Sequence, residues 1–270
     1  MRHPAASDAG PSAPAPVLPT VSLRGAAYSY DEVPGDEARA PLLFLHEGLG
    51  SVGLWRGFHR RIAAATGRRA VAFSRLGHGW SDAPPAPRGL DFMDGEAADV
   101  LPDLCAALDL ERPILVGHSD GGSIALLHAA GHGADGAVPG LVVLAPHTFV
   151  EEAGLREIEA ARRAYADGLR ERMSRHHRDP DVVFRNWNDV WLHPGFRTWD
   201  IRPRLVGITC PVLAVQGTAD PYGTVAHVES VRDEARGPVE LVLLDCGHSP
   251  HLERPADTDS AVTRFLGRLP

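Results

Sequence analysis

The sequence predicts an α/β fold: a mostly parallel central sheet, helices on both faces, and a helical cap inserted once into the alternation. Three observations carry that prediction. Short, uniformly apolar runs recur at Leu42–Leu45, Ala70–Phe73, Ile114–Val116, Leu141–Leu144 and Val212–Val215, and Val239–Leu244 is apolar except at Glu240. Strands that are apolar at every position, rather than at alternate ones, belong to sheets buried on both faces. Segments with helical spacing separate the runs, as parallel strands require. Residues 145–211 break the pattern and read as mostly helical, with Leu155, Ile158, Tyr165, Leu169 and Met173 at helical intervals between arginines and glutamates.

The other elements follow in order. Val21 to Tyr30 reads as an early strand, set off from Leu42–Leu45 by the turn-rich Val33-Pro34-Gly35-Asp36. Trp55 to Ala65 has helical spacing. After Ala70–Phe73 comes the loop Gly77-His78-Gly79-Trp80-Ser81-Asp82 and a proline-rich stretch, Pro84 to Pro87. Glu96 to Leu108 places apolar residues at 97, 100, 101, 104 and 108, a helix period. The expected organisation is a flexible tail over residues 1–19, a core domain over 20–146 and 206–270, and a cap over 147–205. Open α/β sheets bind ligands beyond the carboxyl ends of their strands, where such a cap would sit.

Composition narrows the function classes. At 270 residues the chain accommodates one large domain with an insertion. A net charge of −8 argues against nucleic acid or an anionic membrane surface as partner. No lysine occurs, which excludes a Schiff-base lysine, a Ser-Lys dyad and a P-loop lysine. Cys105, Cys210 and Cys246 are odd in number and lack C-x-x-C spacing, so reduced thiols in a cytoplasmic protein are expected. The absence of lysine fits a GC-rich coding genome and points to a bacterial source. The first residues lack the apolar core of a signal peptide, and no later run reaches membrane-spanning length.

The chemistry concentrates at Gly117-His118-Ser119-Asp120-Gly121-Gly122. A buried strand precedes this sequence and a helix follows it, the setting of the G-x-S-x-G nucleophile elbow. The sharp turn presents the Ser119 hydroxyl at a helix N-terminus, close to free amides that can hold an oxyanion. A serine is a weak nucleophile without a base, and the base needs an orienting acid. Asp220 lies directly beyond the strand ending at Val215, and His248 directly beyond the strand ending at Leu244. Both fall at the sheet edge that carries Ser119, in the chain order Ser, Asp, His. Asp245, read as the last residue of its strand, and His251, read as a first-turn helix residue, are the nearby competitors.

With these residues in place, the chain resembles the α/β-hydrolase superfamily over about residues 20 to 270. The resemblance implies Ser119 as nucleophile, His248 as general base and later acid, and Asp220 as its orienter. It implies an oxyanion hole formed by the amides of Asp120 and of Gly48, the latter in His46-Glu47-Gly48-Leu49-Gly50-Ser51. Many relatives have glycine where Glu47 stands, so Leu49 is the alternative donor. His118 and His78 occupy positions that relatives often fill with histidine, here read as packing and hydrogen-bonding residues.

Glu47 and Asp120 would both lie where negative charge develops, and unpaired carboxylates there oppose catalysis. Two readings stand. In one, Asp120 favours its helix N-terminus and Glu47 pairs with Arg75 or solvent. In the other, the two form an acidic pocket for an amino-bearing substrate, since Ser119-Asp120-Gly121-Gly122 resembles the elbow of biphenyl hydrolase-like amino-acid-ester hydrolases. Glu47, Leu49, Trp187 and Trp191 are the substrate-pocket candidates. The aromatic group of Phe184, Trp187, Trp191, Phe196 and Trp199, with His193, serves either as glue for the cap or as a pocket wall. Leu54 and Trp55 border the pocket or belong to the core. The pair His176-His177 lacks a metal-binding pattern; no metal and no cofactor is expected. The predicted activity is hydrolysis of a small-molecule carboxylic ester or thioester through an acyl-enzyme. C–C bond hydrolysis of an aromatic ring-cleavage product and a non-catalytic ligand-binding role are the alternatives. A serine at the elbow excludes haloalkane dehalogenase and epoxide hydrolase chemistry, which needs aspartate there.

Overall fold

Eight strands form one sheet among the described residues of the structure, a computed structural model that describes residues 17–132 and 136–270. They are β1 (Thr20–Leu23), β2 (Ala26–Val33), β3 (Leu42–Leu45), β4 (Ala70–Phe73), β5 (Ile114–His118), β6 (Leu141–Leu144), β7 (Val212–Gly217) and β8 (Val239–Leu244). Their order across the sheet is β1-β2-β4-β3-β5-β6-β7-β8. β1 and β2 form an antiparallel hairpin, β2 joins β4 antiparallel, and the remaining pairs are parallel. The tail expected over residues 1–19 lies outside the described residues as far as residue 16.

The apolar runs of β3 to β7 are buried because the sheet has two covered faces there; β8, at the sheet edge, is only partly buried, and its Leu243 is exposed. Leu42 and Phe44 point with Ala70, Ala72, Ile114 and Val116 into one layer, against α1 (Phe58–Thr66) and the C-terminal helix α10 (Pro255–Leu266). Leu43 and Leu45 point with Val71, Phe73 and Leu115 into the other. That layer packs α2 (Phe92–Gly95), α3 (Leu101–Ala107) and α4 (Asp120–His132). Alternate residues serving opposite faces is the period of a strand, and two apolar faces make the run continuous. Between β6 and β7 lie α5 (Glu152–Ala164), α6 (Arg170–Met173) and α7 (Pro180–Trp191). α8 (Ala226–Glu234) and α9 (Pro250–Glu253) complete the helices discussed below. No helix among the described residues is long and apolar enough to cross a membrane. The three cysteines are unpaired, and burial pushes the Cys105 and Cys210 thiols up to about 11.

Three elements depart from the sequence reading. Val21 to Tyr30 is two strands, turned at Arg24 and Gly25, whose φ values of 51° and 81° supply the left-handed pair that a tight hairpin needs. Trp55 to Ala65 divides into a 3-10 turn, Val52–Trp55, and α1, separated by Arg56 and Gly57 at φ 47° and 78°. The helix read from Glu96 begins at Phe92 and widens into a π-type turn over Glu96–Val100. Pro102, with no N–H for the ladder, sits just beyond that turn and explains the irregularity.

Strand order sets the position of the site. From β3 the chain crosses one way to β4 and then returns to place β5 on the other side of β3. Beyond the carboxyl ends of β3 and β5 the two connections diverge and leave a crevice. The loop of residues 46–51 and the turn at Ser119 meet there.

Candidate active site

Ser119 directly follows the buried strand β5 with φ 52°, a left-handed conformation that costs a non-glycine residue about 1–3 kcal/mol. The turn is held by the Ser119 amide, which donates to the Leu144 carbonyl at 2.9 Å. The residues two positions to either side, Gly117 and Gly121, must be glycine. A Cβ on Gly117 would lie 2.3 Å from the Gly121 carbonyl oxygen, and one on Gly121 would lie 2.0 Å from that of Leu45. Their absence lets α4 start directly against β3 and β5, with the Ser119 hydroxyl at its N-terminus.

His248 and Asp220, 129 and 101 residues further along, come to the same place. Ser119 Oγ lies 2.9 Å from His248 Nε2, and His248 Nδ1 lies 2.7 Å from Asp220 Oδ2. A carboxylate at Nδ1 places the proton on that nitrogen and leaves Nε2 free to accept one. Asp220 is fixed by the Tyr222 amide at 2.8 Å and the Gln216 side chain at 2.8 Å. The His248 loop is fixed as well: the Gly247 and Ser249 amides donate to Glu253, and His118 Nε2 donates to the His248 carbonyl at 2.8 Å. The competitors stand apart. Asp245 lies one residue beyond β8 rather than ending it, with an exposed side chain near Arg254. His251 is buried in α9 against Trp55 and Phe58.

The 46–51 loop is organised by its carbonyls. Arg75 does not pair with the Glu47 carboxylate; its guanidinium donates to the His46 carbonyl at 2.6 Å and to the Glu47 carbonyl at 2.9 Å. Arg75 is fully buried; the two carbonyls take its terminal nitrogens without a counter-carboxylate, while its Nε has no hydrogen-bond partner among the described residues. A trans peptide aims its N–H opposite its C=O, so anchoring the Glu47 carbonyl turns the Gly48 amide the other way. That amide makes no hydrogen bond among the described residues, and the Asp120 amide, first in α4, has no partner inside its helix. The Leu49 amide, by contrast, is taken by the Glu47 carboxylate. His78 Nδ1 donates to the Gly50 carbonyl at 3.0 Å, a hydrogen-bonding role as expected.

Both carboxylates next to Ser119 are perturbed. Burial raises the Asp120 carboxyl above its ordinary value, opposed by the positive charges of Arg75 and Arg88. Asp120 Oδ1 accepts from Trp191 Nε1 at 3.2 Å, while Oδ2 is buried with no hydrogen-bond partner among the described residues. Leaving such an atom unpaired costs about 1–3 kcal/mol. Glu47, half-buried, is also raised by burial, opposed first by its bond from Leu49.

α7 supplies the facing wall. Its Asp179 cap and first-turn Pro180 start the helix, and Trp187 and Trp191 fall four residues apart on its buried face. A Cβ on Gly48 would lie 2.2 Å from the Trp187 ring, so Trp187 lies directly on the loop. The other aromatics hold the insertion together: Phe196 stacks on Trp199 at 5.4 Å, Phe184 on Tyr165 at 3.9 Å, and His193 caps a 3-10 turn. Leu54 and Trp55 line a cavity of about 60 Å³ with Glu47, His118, Ser249 and His251.

His147 escaped the sequence reading, and His177 was read there only as half of a pair that lacks a metal-binding pattern. His147 lies three residues beyond β6 and packs edge-on to Trp191 at 5.0 Å and against His248 at 5.7 Å, with burial holding it well below the usual histidine value. The strand-end rule that located Asp220 and His248 would have found it. His177 had no such signal. The adjacent histidines diverge: His176 faces Arg56, while His177 turns inward onto the 46–51 loop.

The sheet order, the strained serine between two glycines, and the aspartate and histidine delivered from β7 and β8 define the α/β hydrolase architecture. The family model for the alpha/beta hydrolase family matches residues 42–261, and the chain belongs to that family. Over 90 residues it is 37% identical to an uncharacterized protein of Mycobacterium tuberculosis, a match covering 33% of this chain and 25% of that protein. The chain thus spans about a quarter of the length of the first curated relatives it matches. It is 25% identical to the human serine hydrolase BPHL over 203 residues, 73% of this chain and 68% of that one. Among solved structures, the esterase RhEst1 from Rhodococcus sp. ECU1013 superposes with a TM-score of 0.67 at 25% identity, covering 93% of this chain and 98% of that chain.

Proposed function

We propose that this chain is a serine hydrolase that cleaves a small-molecule carboxylic ester or thioester through an acyl-enzyme. One observation carries the reading: Ser119 Oγ, His248 and Asp220 form a continuous hydrogen-bonded line with the unbonded Gly48 amide and the α4 N-terminus nearby. Ser119 Oγ attacks the carbonyl carbon as its proton passes to His248 Nε2. The oxygen that becomes negative rests on the amides of Gly48 and Asp120. Collapse breaks the bond to the leaving alcohol or thiol, which takes the proton from His248. Water then repeats the sequence on the acyl-serine and releases the acid. Asp220 holds the imidazole in the tautomer that accepts at Nε2.

Residues 147–205 act as the cap over this site, on a core of 20–146 and 206–270. The net charge of −8 fits a small-molecule substrate better than nucleic acid or a membrane surface, and unpaired thiols fit the cytoplasm. The expected result is covalent labelling of folded protein by a fluorophosphonate at Ser119. No adduct under conditions that label a control hydrolase would leave a ligand-binding role instead.

A second reading is favoured by the unpartnered Asp120 Oδ2: the acid half of the substrate carries an amino group that this carboxylate receives. The similarity to BPHL agrees with the elbow resemblance but does not extend to a substrate. Asp120→Asn is expected to lower kcat/KM for amino-acid esters at least tenfold relative to neutral acyl esters. An unchanged ratio in a side-by-side substrate panel refutes the amine subsite.

A further inference from the structure

We infer that His177, carried by the insertion between β6 and β7, is a positioning residue for the Gly48 amide. This inference rests on the serine-hydrolase reading. His177 is almost completely buried, lies between α6 and α7, and reaches the core with both ring nitrogens. Nε2 donates to the Leu49 carbonyl at 2.9 Å, and Nδ1 accepts from the Gly79 amide at 2.9 Å. A carbonyl at one nitrogen and an N–H at the other admit a single tautomer, the neutral ring protonated at Nε2.

The loop is thereby held at both ends of the Gly48–Leu49 unit. Arg75 and His46 Nδ1 hold the Glu47 carbonyl, at 2.9 Å and 2.7 Å, which fixes the peptide plane carrying the Gly48 N–H. His177 holds the next anchored carbonyl, that of Leu49, and Trp187 of the same insertion packs on Gly48 between them. The first anchor comes from the core and the second only from the insertion. The β4 loop is joined independently: the Arg178 amide donates to the Gly79 carbonyl at 2.8 Å, and its guanidinium to the Trp80 carbonyl at 2.8 Å. Seating of the insertion and alignment of the oxyanion donor are therefore coupled by the His177 hydrogen bond, beside the packing of Trp187 on Gly48. An amide displaced from a developing oxyanion loses stabilisation in the transition state rather than in substrate binding.

Two substitutions separate the ring's two bonds. His177→Asn keeps an acceptor at the Nδ1 position for Gly79 and loses the reach to Leu49. His177→Gln keeps a donor at the Nε2 position. With a p-nitrophenyl ester turned over by the wild-type chain, and with both variants checked by thermal melting, His177→Asn should lose about 30-fold in kcat at nearly unchanged KM. His177→Gln should recover most of that loss, and His176→Ala should stay within twofold of wild type. Equal kcat in the Asn and Gln variants, or a loss confined to KM, overturns the assignment. A wild-type chain that neither turns over esters nor accepts a fluorophosphonate instead overturns the serine-hydrolase reading on which it rests.

Discussion

Replacing Ser119 by alanine is expected to lower ester turnover by about 10⁶-fold, to the level left by the oxyanion donors and binding alone. The expectation follows from the line of hydrogen bonds through Ser119, His248 and Asp220. Without Oγ the His248 Nε2 has no nucleophile to deprotonate, and Asp220 orients a base with no task. Groups that act as one unit also fail as one unit. Ser119→Ala combined with His248→Ala should therefore be no slower than Ser119→Ala alone. The variant should remain folded, since the substitution removes only one hydroxyl and relaxes nothing else in the elbow. Steady-state kinetics with an active p-nitrophenyl ester decide it: more than one per cent of wild-type turnover in pure Ser119→Ala protein would rule out the nucleophile assignment.

The second large effect is on folding. Gly121→Ala places a methyl 2.0 Å from the Leu45 carbonyl oxygen and 2.6 Å from that of His46. Both obstacles are backbone, at the end of a fully buried strand, so neither side can yield without moving α4 off β3. A loss of about 3 kcal/mol or more in unfolding free energy is expected, read as a fall in the urea midpoint at constant slope. Gly122→Ala is the matched control. Its methyl meets the Pro146 ring at 3.1 Å and nothing closer, so a much smaller shift is expected. Equal midpoints for the two variants would mean that α4 is not pressed against β3 as described.

The two expectations differ in how far the sequence foretold them. The elbow, its glycines and the order of Ser119, Asp220 and His248 are local patterns, each tied to the end of a recognisable strand. The even burial of Leu42–Leu45 and Ala70–Phe73 is equally local, because a strand covered on both faces needs apolar residues at every position. Turn positions were less legible. Arg24 and Arg56 adopt left-handed backbone where arginine gives no cue, so the first hairpin and the start of α1 were misplaced.

Polar partners were the least legible. One of the two readings paired Glu47 with Arg75 or solvent; Arg75 instead binds two carbonyls, because a buried guanidinium takes whichever acceptors the fold brings within reach. For Asp120 the sequence left open a helix N-terminal role and an acidic pocket, and neither reading foretold that its side chain meets Trp191, 71 residues away, and leaves one oxygen unpaired.

The sequence by itself determined the parallel strands of the sheet, the family and the three residues at the centre of the proposed chemistry. These depend on periodicity and on glycine's missing side chain, properties that neighbouring residues state directly. Only the tertiary structure decided what holds the 46–51 loop, where the unpaired carboxylate sits and which residue of the insertion reaches the core. His177 and Leu49 are 128 residues apart, and each bonds through a group that every histidine and every peptide possesses. Such a contact has no sequence signature, because it is specified by the packing of the intervening elements and not by the two residues that make it.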